Sequence, residues 1–97
     1  MKYPSISFVI PMYNESVNIV ETVGRVSRFA KEITDDYEII LADDASSDGS
    51  GEITDRMSRE DAHIKSVRLE KNTRFGGALA EGLKRASKEI VIYTDAD

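Results

Sequence analysis

Four short apolar runs punctuate the chain: Ile6-Ser7-Phe8-Val9-Ile10, Tyr37-Glu38-Ile39-Ile40-Leu41-Ala42, Ile64-Lys65-Ser66-Val67-Arg68-Leu69 and Ile90-Val91-Ile92-Tyr93-Thr94. Each is rich in β-branched or aromatic residues, which fit a pleated strand. The runs begin 31, 27 and 26 residues apart. Each gap leaves room for one helix, the spacing of a βαβ unit. Runs one, two and four are nearly continuous, as in parallel strands covered on both faces. The third is more polar and predicts an edge strand.

The gaps carry a helical period. Between runs one and two, Val17, Val20, Val23, Val26, Ala30 and Ile33 predict one apolar stripe. Between runs three and four, Phe75, Leu79, Gly82, Leu83 and Ala86 do the same. In the middle gap, Ser50 as N-cap, Glu52 in the first turn, and Ile53 and Met57 one turn apart predict a short helix. The order β-α-β-α-β-α-β is that of an α/β protein, with three layers, a mostly parallel sheet and a Rossmann-like, doubly wound start. Residues 1–97 read as a single domain, without repeats or a linker.

Composition narrows the chemistry. The chain has no Cys, so disulfides, Cys-ligated zinc and thiol nucleophiles are excluded. The one His, His63, precedes the third run and reads as a surface residue. A net charge of −5 disfavours a nucleic-acid surface. The stretch Ile6 to Ile10 is too short for a signal peptide or a membrane span, so no membrane segment is expected in this chain and the expected compartment is the cytoplasm. Neither GxGxxG nor GxxxxGK[ST] occurs, which removes dinucleotide and P-loop sites.

Ligands of open parallel sheets bind at the carboxyl ends of the strands. Pro11-Met12-Tyr13-Asn14-Glu15, Asp43-Asp44-Ala45-Ser46-Ser47-Asp48-Gly49 and Asp95-Ala96-Asp97 all follow strands. Five carboxylates, Glu15, Asp43, Asp44, Asp95 and Asp97, are therefore expected to crowd one edge, where a cation or a donor-rich ligand would relieve their repulsion. The plainer alternative is that Asp, Asn and Gly favour turns and caps. Asp95 and Asp97, two apart after a strand, suit Mg²⁺ or Mn²⁺ with substrate phosphates. Asp43 and Asp44 can accept hydrogen bonds from ribose hydroxyls or base N–H groups. Tyr13 offers a stacking face, and Arg74 is a candidate phosphate contact.

Together these segments, with Asn72, Phe75-Gly76-Gly77-Ala78-Leu79 and Gly82, resemble the N-terminal half of a family 2 glycosyltransferase of the GT-A fold, nearest to dolichol-phosphate mannosyltransferase-like enzymes. The resemblance implies the nucleotide-diphospho-sugar transferase fold and inverting transfer of a sugar from a UDP- or GDP-linked donor to an acceptor such as a polyprenyl phosphate. It implies that Pro11, Tyr13, Glu15 and Asp44 hold the nucleoside, with Ala42 contributing backbone. It also implies that Asp95, Ala96 and Asp97 hold ribose, diphosphate and a Mg²⁺ or Mn²⁺ ion, the last through Asp95 and Asp97. Three details depart from the family pattern: Ala45 where Gly is frequent, Ser87-Lys88-Glu89 before the fourth strand, and Thr73-Arg74 after Asn72.

The family's acceptor site lies downstream of the positions matched, so the expectation is a truncated donor-binding half with no catalytic residue of its own. A full-length protein would then work at the cytoplasmic face of a membrane. The alternative is a non-catalytic nucleotide-binding module that forms homo-oligomers through an exposed sheet edge. A receiver-like signalling domain is disfavoured, because the acidic pair follows the second strand and not the first.

Overall fold

The computed structural model describes residues 2–74 and 76–96. Strands β1 (Ile6–Met12), β2 (Tyr37–Asp43), β3 (Ile64–Arg68) and β4 (Ile90–Tyr93) alternate with helices α1 (Ile19–Ile33), α2 (Ser50–Glu60) and α3 (Gly77–Arg85). All four strands are parallel, in the order β3-β2-β1-β4. Parallel strands joined through a helix cross over with a right hand. The path from β1 to β2 to β3 runs one way across the sheet, which puts α1 and α2 on one face. The return to the far side of β1 puts α3 on the other.

The two cores follow from strand alternation. Ile6, Phe8, Ile10 and Met12 of β1 join Ile39 and Leu41 of β2 beneath Val23 and Ala30 of α1 and Ile53 and Met57 of α2. Val9, Ile40 and Val67 point the other way, toward Leu79 and Ala86. On that side α3 lies very close to the sheet. A Cβ built on Gly82 would stand 2.5 Å from Val9 Cγ1 and 3.5 Å from Ala42 Cβ. The small residues Gly82 and Ala42 thus set the approach of α3.

Four details differ from the sequence pattern. Ile19 takes the inward position at the start of α1, so the buried line runs through Ile19, Thr22, Val23 and Ala30. Val20 lies about 100° around the helix from Ile19 and is exposed, while Val17 precedes the helix and is 90% exposed. Ser50 is the first residue of α2 and not its cap; Gly49, at φ 93°, takes that place. Leu83 is exposed on α3, and Phe75 lies outside the described residues. Finally, β4 pairs with β1 alone among the described strands, leaving Val91, Ile92 and Tyr93 exposed. β3 is an edge strand as its polarity predicts.

One carboxylate is enclosed on the α3 face. Glu38 is 1% exposed. It accepts hydrogen bonds from Ser7 Oγ (2.6 Å), Lys65 Nζ (2.7 Å), and Ser87 N–H and Oγ (2.8 and 3.0 Å). It therefore ties β1, β2, β3 and the α3–β4 turn together. Burial alone would push its carboxyl pKa up. The donors from Lys65, Ser7 and Ser87 outweigh that and bring it from 4.5 down to about 2.

Two predictions follow from this packing. Gly82→Ala should lower unfolding stability by about 1–3 kcal/mol, the usual effect of overpacking; urea unfolding reads it, and an unchanged midpoint would contradict the close approach. A carboxyl whose folded pKa lies below its unfolded one adds stability above the unfolded value and loses it as pH falls through the folded one. The Glu38 contribution is therefore complete above about pH 5 and declines between pH 4.5 and about 2. Glu38→Gln should be less stable at pH 7 and show a shallower loss between pH 5 and 3, whereas parallel pH curves for the two chains would contradict the role.

Candidate functional site

Strand order reverses at β1: one connection leaves toward β2, and the chain later returns on the other side as β4. Loops diverge at such a point and leave a crevice at the carboxyl ends of the strands. A pocket of about 280 Å³ lies there, at the lower end of the range for small-molecule sites. Pro11 and Tyr13 line it from the end of β1, Asp44 from the end of β2 and Asp95 from beyond β4. Arg74, Gly76 and Ala78 form the wall at the N-terminal end of α3. The positive end of a helix favours an anion beside it.

Asp44 is buried and held by several donors. Thr73 Oγ1 and N–H donate to its Oδ1 at 2.8 and 3.0 Å. Asn72 Nδ2 donates to its carbonyl oxygen at 3.0 Å and to Oδ2 at 3.3 Å. Thr73 reaches Asp44 because Gly77 has no side chain; a Cβ there would lie 2.3 Å from Thr73 Oγ1. Asn72 is visible in the sequence as a matched position, but its role as the holder of Asp44 is not. Thr73 has no signal of its own.

The loop after β1 is laced to the loop after β2. Asn14, at φ 53°, donates its N–H to Ser46 Oγ and accepts from Ser47 N–H through Oδ1. Glu15 N–H donates to Ser50 Oγ, and Ser16 N–H to Asp48 Oδ2. The Ser50 hydroxyl, with the N–H groups of Ser16 and Ser50, drives the Asp48 carboxyl well below the usual range despite its desolvation. Ser50 thus joins loops where the sequence suggests a helix cap. Ala45 has φ 62°, a left-handed conformation that favours glycine, at the position where the family frequently has Gly.

The expected crowding of carboxylates does not occur among the described residues, where no group of three His, Cys, Asp or Glu side chains is placed to hold a metal ion. Successive strand residues point to opposite faces, so the acidic pair splits. Asp43, 1% exposed, accepts from Ser46 N–H and Oγ on the α2 side, with Arg68 Nε 3.9 Å away. The Glu15 carboxylate accepts from Asn18 Nδ2. Ala42 is fully buried beneath Gly82. Ala96 is buried in the α1-side core, and its carbonyl oxygen accepts from Thr22 Oγ1. Asp97 lies outside the described residues. Among the described residues of the candidate set, Pro11, Tyr13, Asp44 and Asp95 line the common pocket. His63 is far from it in the chain's layout, before β3, stacked on Tyr37 with ring centroids 4.1 Å apart.

The donor set at the pocket suits a hard divalent ion. Asp95 presents an exposed carboxylate at its rim. Mg²⁺ is commonly held by one or two carboxylates and completed by waters and substrate phosphates, with no protein cage of its own.

Comparison with known proteins places this geometry in a family. The sequence profile of glycosyl transferase family 2 matches residues 7–97. The undecaprenyl-phosphate 4-deoxy-4-formamido-L-arabinose transferase of Yersinia enterocolitica is 38% identical over 97 residues, covering 99% of this chain and 30% of the relative. The transferase of the same name from Proteus mirabilis is 34% identical over 97 residues, with the same coverage. The chain thus spans about 30% of the length of these relatives. Among solved structures, S. aureus TarS 1-349 in complex with UDP-GlcNAc superposes with a TM-score of 0.80 at 28% identity, over 100% of this chain and 27% of that one. The mannosyltransferase PcManGT from Pyrobaculum calidifontis, in complex with GDP-Man and Mn2+, gives 0.78 at 25% identity, over 99% of this chain and 30% of that one. The parallel sheet with helices on both faces matches the GT-A glycosyltransferase fold of these structures. With that match running through nearly the whole sequence, the chain belongs to glycosyl transferase family 2.

Proposed function

We propose that this chain carries the donor half-site of an inverting glycosyltransferase that moves a sugar from a UDP- or GDP-linked donor to an acceptor such as a polyprenyl phosphate. The observation that carries the reading is the meeting of Tyr13, Asp44 and Asp95, from three separate strand ends, in one pocket beside Arg74. Pro11 and Tyr13 form an apolar wall for the base. Asp44, oriented by Asn72 and Thr73, accepts hydrogen bonds from the nucleoside. Asp95 and Asp97 hold Mg²⁺ or Mn²⁺, and such an ion neutralises a diphosphate so that it can leave. Arg74 and the N-terminal end of α3 supply further positive potential. Glu15, Ala42 and Ala96 serve the site through the frame: Glu15 by its hydrogen bond to Ser50, Ala42 beneath α3 and Ala96 under Asp95.

Two relatives are named for a polyprenyl-phosphate acceptor, and two solved structures hold a nucleotide sugar. These support the donor and acceptor classes proposed. No acceptor-activating base is assigned to this chain, so residues 1–97 are proposed to bind donor without turning it over. No described helix is long and apolar enough to cross a membrane. The compartment proposed is the cytoplasm, with a lipid-linked acceptor met at a membrane surface.

Calorimetric titration with UDP-GlcNAc and GDP-mannose, each with and without Mn²⁺, tests the reading. At least one donor should bind more tightly with the ion. Asp95→Asn should remove that gain, and Asp44→Asn should weaken binding about tenfold in both conditions, the effect of losing a hydrogen bond to a charged group. Equal or absent binding with and without Mn²⁺ would contradict the site.

A second reading rests on the exposed Val91, Ile92 and Tyr93 of the β4 edge. Open strand edges pair with other chains, so copies of this chain are proposed to associate there. Sedimentation should show a dimer or larger species at micromolar concentration that Ile92→Lys disperses. A clean monomer before substitution would contradict it.

A further inference from the structure

Thr22 is a buried residue of α1, 4% exposed, on the face of the helix that meets the sheet. A helical threonine commonly returns its hydroxyl to a carbonyl one turn earlier. Thr22 instead donates to the carbonyl oxygen of Ala96, 74 residues away in sequence, at 2.5 Å. Ala96 is held a second time, since its methyl group is buried at 3% exposure in the cluster beneath α1. Its neighbour Asp95, by contrast, is exposed. With Ala96 anchored inward by both its side chain and its carbonyl, Asp95 is turned outward, and it lines the pocket beside Tyr13 and Asp44. The anchor stands just past the last strand residue. Thr94 N–H donates to Val9 O and, among the described residues, is the last main-chain tie of this segment to the sheet. Beyond it, Thr22 is the described hydrogen-bond partner that holds the Asp95-Ala96 backbone.

We infer that Thr22 is a positioning residue: its hydroxyl, through the Ala96 carbonyl, holds the Asp95 carboxylate toward the pocket in the direction needed to meet a divalent ion and a donor diphosphate. The inference rests on the donor-site reading above. Thr22 touches neither ion nor donor, so its loss should alter what Asp95 contributes and leave the nucleoside contacts of Tyr13 and Asp44 in place.

Thr22→Val keeps the shape and removes the donor; Thr22→Ser keeps the donor and removes the methyl. UDP-GlcNAc and GDP-mannose are titrated into each chain with and without Mn²⁺, and circular dichroism checks the fold. Thr22→Val should lose at least fivefold in the Mn²⁺-dependent gain in affinity while its metal-free affinity stays within twofold. Thr22→Ser should recover the gain to within twofold. Thr22→Ala, which lacks the buried methyl groups of valine, replaces Thr22→Val if that chain does not fold. A full Mn²⁺ gain in Thr22→Val, an equal loss with and without the ion, or no recovery by Thr22→Ser would overturn the positioning role, as would failure of both donor-less variants to fold. If the unsubstituted chain shows no Mn²⁺ gain, the donor-site reading falls and this inference with it, an outcome distinct from failure of the variants alone.

Discussion

The right-handed crossover is the constraint on which the rest depends. A parallel strand must be followed by a connection across one face of the sheet, and its hand decides which face. Reversing direction after β3 therefore forces α3 to the face opposite α1 and α2. The same reversal separates the loops after β1 and β4 and opens the crevice between them. It also demands a close fit for a nine-residue helix over a narrow sheet, which Gly82 above Val9 and Ala42 allows. Fold and site are thus consequences of one topological step.

Buried carboxylates at the two ends of the sheet do different work. Glu38, toward the amino ends of the strands, is saturated by Ser7, Lys65 and Ser87 and stitches three strands to a turn. Asp44, at the carboxyl ends, is held from behind by Asn72 and Thr73 and faces the pocket. A buried charge without donors is strongly unfavourable, so each site needs its own set of partners. The serines and asparagine between β1 and α2 make those loops a single hydrogen-bonded unit. Tyr13 and Asp44 are carried on that unit, which brings preorganisation to two of the pocket's walls.

The four strands are legible in the sequence because each is a compact β-branched run between turn residues, and the helix-sized gaps make the parallel α/β order follow. The pocket edge is legible too, since Pro11 lies in the last residues of β1 and Tyr13, Asp44 and Asp95 follow strands. Less legible is anything that depends on rotation about an element's axis. Val17 and Val20 fit a helical period as well as Ile19 does, and only packing decides which line faces inward. Adjacent acids look like a cluster in one dimension, yet the pleat sends Asp43 and Asp44 to opposite faces. Partners remote in sequence, such as Asn72 for Asp44 or Thr22 for Ala96, leave no local pattern at all.

Paramagnetic mapping is the most direct test of a donor site at the strand-order reversal. Amide spectra of the chain would be recorded as UDP or GDP is added, followed by a trace of Mn²⁺. Line broadening should concentrate on Tyr13, Asp44, Gly76, Asp95 and Ala96, whose segments meet at the pocket, and spare Glu38 and His63. Broadening spread evenly over the surface acids, or centred away from the carboxyl ends of β1 and β4, would contradict it.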